Sequence, residues 1–316
     1  MKLSVLVPVY NAERFLESFL RSLARQFFAG VEFVFLDDCS QDDSVGVLKQ
    51  ELAKNRLASA SRLLFNKENR GVSEARQTLL EAATGEYVIF ADPDDEIEPG
   101  MYDELLAAAC STNADFVWED FYEGSAGRRS QRFDGDAADF IRTMLRGKLH
   151  GATWNKLIRR QFIVECGARF LPGRVCLCED MDFICQVLAA NPKIAYNNGC
   201  HYHYRTVADS ATHGLSEPSF EALRVVERHL ADILPKEGFK KELEYWRKGN
   251  RLAAFLSGSV GDKFFYEYLD DIRDLSGLPT NIVLKWLFRV SARGCRKPAL
   301  LLYRIIWTAK WAKPRV

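Results

Sequence analysis

The sequence predicts an α/β protein, a mostly parallel sheet with helices on both faces, followed by a helical C-terminal region. Three observations predict it. Short apolar runs alternate with helical stretches through the first 115 residues, the pattern of parallel strands joined by crossover helices. The first run, Leu3–Val9, is apolar and rich in β-branched residues, as a buried parallel strand requires. From about Glu217 onward the pattern stays helical, without an obvious further strand.

The elements follow in order. Pro8 and Asn11 close the first strand, and Phe15, Leu16, Phe19, Leu20 and Leu23 recur at helical spacing in Ala12–Arg25. Glu32–Leu36 is a strand ending at Asp37-Asp38, and Asp42–Leu57 is a helix. Arg62–Phe65 is a strand, and Ser73–Ala83 a helix broken by Thr84-Gly85. Tyr87–Ala91 is a strand ending at Asp92, and Met101–Cys110 a helix. Beyond residue 115, Phe116–Tyr122 and Ile194–Tyr204 read as strands, and Asp136–Arg146 and Met181–Ala190 as helices. The expected division is a catalytic domain over 1–214, in halves 1–115 and 116–214, then a helical region over 215–316.

Composition narrows the function. Hydrophobic residues at 47% and aromatics at 12% exclude a disordered chain. The 43 basic and 43 acidic residues balance, which argues against a nucleic-acid partner. The balance conceals an asymmetry: residues 273–316 hold ten Lys or Arg and one Asp. Eight cysteines form no C-x-x-C pair, so free, mostly buried thiols in a reducing compartment are expected. No secretory signal and no 18-residue uncharged apolar stretch is found, so a cytoplasmic chain is expected.

Parallel sheets bind ligands at the carboxyl ends of their strands. Three strands here end in polar groups: Tyr10-Asn11, Asp37-Asp38 and Asp92-Pro93-Asp94-Asp95. The last places two carboxylates on one side of a turn, the ligand type that Mg²⁺ and Mn²⁺ prefer. An acidic turn is the plainer alternative. Asp38 could accept hydrogen bonds from a nucleobase or ribose, or cap the next helix. Arg76, on the helix after Gly71, offers a planar fork of donors suited to phosphate, or is a solvated surface charge.

Taken together these blocks resemble family 2 glycosyltransferases. Ser4-Val5-Leu6-Val7-Pro8-Val9-Tyr10-Asn11 is similar to that family's opening strand. Asp37-Asp38-Cys39-Ser40, Asn69–Arg76 and Gly85–Asp95 resemble its D-D-x-S, N-x-G-x-S-x-A-R and G-E-Y…D-x-D-D blocks, in order. Trp154–Arg159, Glu179-Asp180 with Phe183, and Tyr202–Arg205 with Ser210 resemble elements of bacterial members that build capsule, lipopolysaccharide or teichoic-acid glycans. Two departures stand out: Cys39 where Gly is common, and Gln77 where Asn often follows the Arg.

The resemblance implies a Rossmann-like GT-A fold. It also implies inverting transfer of a sugar from a nucleotide diphosphate sugar, UDP by family frequency, to a hydroxyl of a cell-surface glycan or lipid-linked acceptor. By the same carry-over Pro8, Tyr10, Asn11, Asp38, Asn69, Arg70, Arg76, Asp92 and Pro93 bind the donor. Asp94 and Asp92, completed by His213, hold Mn²⁺ or Mg²⁺, with His203 as a rival for His213. Asp180 is the general base and Glu179 supports it or positions the acceptor; the alternative is a favourable acidic pair at a helix start. Trp154 walls a pocket or sits in the core, and Lys156 is expected to be solvated, a phosphate contact being the alternative. An inactive nucleotide-sugar-binding or scaffolding module is the alternative function. A nucleotidyltransferase would carry a Gly-rich loop where Pro8–Asn11 stands, and a dehydrogenase would carry G-x-G-x-x-G.

Residues 281–316 interleave Trp286, Leu301, Ile305, Trp307 and Trp311 with Lys285, Arg289, Arg293, Lys297 and Arg304. That pattern is expected to contact the inner face of a membrane as an interfacial amphipathic segment, the alternative being a docked helix pair.

Overall fold

The computed structural model describes residues 2–54, 56–205, 215–257 and 259–311. They fall into two compact units, Met1–Ser210 and Ala211–Val316.

The first unit is built on one sheet. In chain order its elements are β1 (Leu3–Val9), α1 (Glu13–Ala24), β2 (Val31–Asp37), α2 (Ser44–Lys54), β3 (Ser61–Phe65), α3 (Val72–Ala82), β4 (Tyr87–Phe90), β5 (Glu96–Ile97), α4 (Met101–Thr112), β6 (Phe116–Glu123), β7 (Gly127–Arg129), α5 (Ala137–Leu145), β8 (Lys156–Arg159), α6 (Arg160–Cys166), α7 (Glu179–Ala189) and β9 (Ile194–Tyr204). The strand order is β3-β2-β1-β4-β8-β6-β9-β5, with β7 on β6. β8, β5 and β7 run against the rest, so the sheet is mostly parallel, as the alternating pattern predicts.

Register carries the strand ends to one place. Val9 lies opposite Asp37, and Asp37 opposite Phe65. Leu6 pairs with Phe90, and the Ala91 amide donates to Leu6 at 3.0 Å. Asp92 therefore leaves the sheet beside the ends of β1 and β2.

Strand alternation sorts the core. Leu3, Val5, Val7 and Val9 share one face with Phe33, Phe35 and Ile89. That face packs against Leu16, Phe19, Leu20 and Leu23 of α1, Leu48 and Leu52 of α2, and Met101, Tyr102 and Leu105 of α4. Each such side chain stabilises the fold by roughly 1.5–3 kcal/mol. On β4, Phe90 meets Phe183 of α7 and Phe170 edge-on, and those two rings stack at 4.3 Å. The turn before β4 requires glycine, because a Cβ on Gly85 would lie 2.5 Å from the Ser4 nitrogen.

Several elements differ from expectation. Asp42 caps the second helix by accepting from the Ser44 amide at 3.0 Å, so helical structure starts at Ser44. Its far end becomes a separate 3₁₀ turn, Arg56–Ala60, which buries Leu57. β5, β7 and β8 are too short to show a period. All eight cysteines are free, but only Cys185 is buried; Cys110, Cys176 and Cys295 are exposed. The expectation of mostly buried thiols is corrected accordingly.

The second unit is helical, as expected: α8 (Glu217–Ile233), α9 (Lys236–Leu256), α10 (Asp262–Leu269), α11 (Ile282–Val290) and α12 (Arg296–Trp311), with a π turn over Ser291–Cys295. Phe220, Val226, Leu230, Phe255, Phe265, Tyr268 and Phe288 are buried in it. Arg251, buried beneath α8, pairs with Glu227 at 2.9 Å and lies 4.1 Å over the Tyr268 ring. Among the described residues no helix is long and apolar enough to cross a membrane.

Candidate active site

The ends of β1 and β2 are tied together by Asn11. Its amide donates to Ser40 Oγ at 3.0 Å, and its Oδ1 accepts from the Gln41 amide at 2.8 Å. Tyr10 stands 48% exposed beside it, whereas Pro8 is buried within β1. Cys39 adopts a φ of 61°, the left-handed region that favours glycine, which accounts for the residue the resembling family commonly places there.

Asp38 is buried and braces the loop before α3. It accepts from Asn66 Nδ2 at 2.7 Å, from the Arg70 amide at 3.0 Å and from the Gly71 amide at 2.7 Å. It does not cap α2. The Asp37 Oδ1 next to it is buried without a hydrogen-bond partner. Asn69 is partly buried, and Arg70 is exposed and paired with Glu74 at 2.6 Å. Gly71 allows the φ of 90° from which α3 starts.

Arg76 sits at the centre. α3 is pinned at its start by Ser73 Oγ, which donates to the Leu171 carbonyl at 2.5 Å. One turn on, the buried Arg76 reaches Asp92 Oδ1 at 2.9 Å, Glu179 Oε1 at 2.6 Å, and Asp180 Oδ1. It is therefore not a solvated arginine. In this structure its donors serve three carboxylates, where the resemblance had it facing a diphosphate. Burial disfavours its charge, but Asp180, Asp92 and Glu179 outweigh burial and raise its pKa.

Glu179 and Asp180 open α7, after Cys178 turns the chain with a φ of 62°. Burial, then the neighbouring Asp180, pushes Glu179 up to about 8. Burial also raises Asp180, against the pull of Arg76. Asp180 Oδ2 further accepts from the Thr153 amide at 3.4 Å.

The Asp92–Asp95 turn is held from below. Tyr202 hydroxyl donates to Asp95 Oδ2 at 2.8 Å and accepts from the Asp92 amide at 3.2 Å. The Arg205 amide donates to Asp95 Oδ1 at 2.8 Å. Tyr202 stacks on Trp154 at 4.3 Å, and Trp154 is only 2% exposed, so the core alternative holds for Trp154. With Asp95 committed, Asp92, Pro93 and Asp94 form the outer rim of the turn. Burial, then Asp92, pushes Asp94 up to about 6.

A hard divalent cation commonly takes one or two carboxylates and fills the rest of its shell with phosphate oxygens and water. Asp94 and Asp92 supply such a set. Among the described residues no three His, Cys, Asp or Glu side chains converge as a metal cage. His213 lies outside the described residues. His203 is on β9, stacked on Tyr122 at 4.6 Å with Nε2 2.6 Å from Glu98.

Lys156 corrects an expectation. It is 1% exposed, not solvated, and its ammonium donates to the His150 and Ala152 carbonyls at 2.9 and 2.6 Å and to Asn155 Oδ1 at 2.7 Å. Burial lowers it to about 7, with Asp180 acting in the opposite direction. Asp95, Tyr202 and Thr153 are supports that the expected site residues do not include: Asp95 and Tyr202 stand inside blocks that resemble the family, whereas no sequence signal marks Thr153.

The Glycosyl transferase family 2 model matches residues 4–166. A putative glycosyltransferase EpsH of Bacillus subtilis is 30% identical over 257 residues, 76% of this chain and 72% of EpsH. A cholesterol galactosyltransferase of Borreliella burgdorferi is 24% identical, covering 87% of this chain and 84% of that protein. Among solved structures, Staphylococcus aureus TarS 1-349 in complex with UDP-GlcNAc superposes with a TM-score of 0.60 at 19% identity, over 95% of this chain and 82% of that one. The mannosyltransferase PcManGT of Pyrobaculum calidifontis, in complex with GDP-Man and Mn²⁺, does so with a TM-score of 0.55 at 18% identity, over 99% of this chain and 88% of that one.

Proposed function

The chain belongs to glycosyl transferase family 2, and on that premise we propose that it moves a sugar, with inversion, from a nucleotide diphosphate sugar to the hydroxyl of a cell-surface glycan or lipid-linked acceptor. The observation that carries this reading is the Arg76 cluster. It holds Asp92, at the ligand edge of the sheet, against Glu179 and Asp180, more than 80 residues later in the chain.

The donor lies across the strand ends. Tyr10 and the Asn11 turn flank the base, with Asp38, Asn69 and Arg70 around base and ribose. Because both Asp38 oxygens already hold the 66–71 loop, Asp38 shapes this pocket as much as it contacts the ligand. Uridine is the preferred base, since TarS binds UDP-GlcNAc; the GDP-Man complex of PcManGT keeps guanine as the rival. Asp94 and Asp92, beside Pro93, would hold Mn²⁺ or Mg²⁺. Such an ion offsets the negative charge growing on the departing diphosphate.

Asp180 takes the proton of the acceptor hydroxyl. The freed oxygen attacks the anomeric carbon from the face opposite the diphosphate, whose bond to that carbon breaks and carries the electron pair away. Attack from the opposite face inverts the centre. Burial that raises the proton affinity of Asp180 suits a base that must hold a proton as the bond forms. Arg76 keeps Asp180 ionised and aimed before the acceptor arrives. Glu179, its proton affinity raised by burial and by the neighbouring Asp180, orients the acceptor.

Calorimetric titration with UDP, GDP and dTDP, with Mn²⁺ and then with EDTA, tests the donor site. The reading expects UDP to bind only with metal and Asp94→Ala to abolish it. Failure of every nucleotide to bind would overturn it and leave a scaffolding module.

A further inference from the structure

We propose that the outward faces of α11 and α12 form a docking surface for a lipid bilayer carrying anionic headgroups. The inward side of this pair is settled: α11 buries Leu287 and Phe288, and α12 buries Arg296 and Ala299. The outward side is apolar to an unusual degree. Ile282 is 82% exposed, Trp286 53% and Leu301 61%, and Leu302 and Ile306 are exposed as well.

Charge selects the occupant. Arg289, Arg293 and Lys297 are exposed along the same segment. Asp274 is the last acidic residue, and residues 275–316 contain nine Lys or Arg. A cavity of about 310 Å³ at the start of α12 is lined by Asp262, Arg296, Lys297, Leu300 and Arg304, among others. The Arg296 Nε is buried there without a hydrogen-bond partner.

A second copy of the chain would cover the apolar groups but bring two basic rims together. Nucleic acid would satisfy the charge and leave Ile282 and Trp286 in water. A bilayer of zwitterionic lipid mixed with anionic lipid satisfies both, with Trp at headgroup depth and the basic side chains above it. The test of this surface is independent of the donor-site reading, because vesicle binding requires neither nucleotide nor turnover.

The test is sedimentation of the full chain with vesicles of phosphatidylcholine alone and of phosphatidylcholine with about a third phosphatidylglycerol, at low and high salt. Binding is expected to the anionic vesicles at low salt, at least tenfold weaker to neutral ones, and reduced by salt. A Lys or Arg near an anionic surface contributes about fivefold in partition, so R289Q/R293Q/K297Q is expected to lose about a hundredfold. W286S/L301S is expected to lose binding with an unchanged circular dichroism spectrum. Equal binding to both vesicles, no binding at low salt, or an unaffected charge variant would overturn the proposal. So would a dimer by light scattering that ignores vesicles.

Discussion

Replacing Arg76 by Met removes the cation that, among the described residues, touches Asp92, Glu179 and Asp180 together. The magnitude follows from what the orphaned carboxylates can do. Breaking a buried ion pair from one side costs about 3–5 kcal/mol. A stranded carboxylate can escape by protonating, which caps the loss at about 1.4 kcal/mol for each pH unit above its unfolded pKa. For Asp180, whose ordinary value is 3.8, the cap is roughly 4 kcal/mol at pH 7 and roughly 1.6 kcal/mol at pH 5. Buried Lys156 stays near Asp180 and trims the loss. The expectation is therefore about 3–4 kcal/mol at pH 7 and under about 2 kcal/mol at pH 5. The sign is fixed: carboxylates whose folded pKa is raised bind more protons folded than unfolded, so stability falls as pH rises. Urea denaturation of both proteins at the two pH values measures it. A loss below about 1 kcal/mol at pH 7, or the same loss at both pH values, would refute the hub, because lost packing volume alone has no pH dependence.

Cys39→Gly is expected to raise stability by about 0.5–1 kcal/mol, since relief of the left-handed φ exceeds the entropy glycine adds to the unfolded chain; thermal denaturation checks this. Trp154→Ala is expected to cost about 3–5 kcal/mol and to weaken nucleotide binding, because Trp154 supports Tyr202 beneath the Asp92–Asp95 turn; denaturation and calorimetry read the two effects. His201 bonds buried Glu119 at 3.2 Å, and that bond raises its pKa. The stabilisation it brings is complete below the ordinary histidine value and disappears as pH rises through the raised one, so the pH–stability curve of His201→Gln should lack that decline.

The parallel core was legible because burial on both faces writes itself as apolar runs: Leu3–Val9, buried throughout, matches its strand end to end. The four residues of β8 carry no period, and their antiparallel insertion between β4 and β6 is a tertiary fact. The helix expected from Met181 starts at Glu179, because the apolar pattern begins at Met181 while the chain turns at Cys178, in a conformation its residue type does not announce. Arg76, Asp92, Glu179 and Asp180 were each named, and the fold brings them together. What no local pattern reveals is that an arginine and a lysine are buried: both types are normally exposed, and burial is made tolerable for Arg76 by carboxylates distant in sequence and for Lys156 by carbonyls of the loop just before it.

The most direct test of the central claim is Asp180→Asn, an isosteric change, with transfer and nucleotide affinity measured on one preparation. The account predicts transfer lowered by about 10²–10⁴-fold, the contribution of a general base, with nucleotide affinity within a few-fold of the parent. Transfer within about tenfold of the parent would contradict it, because a proton acceptor of that worth cannot be absent without a larger loss.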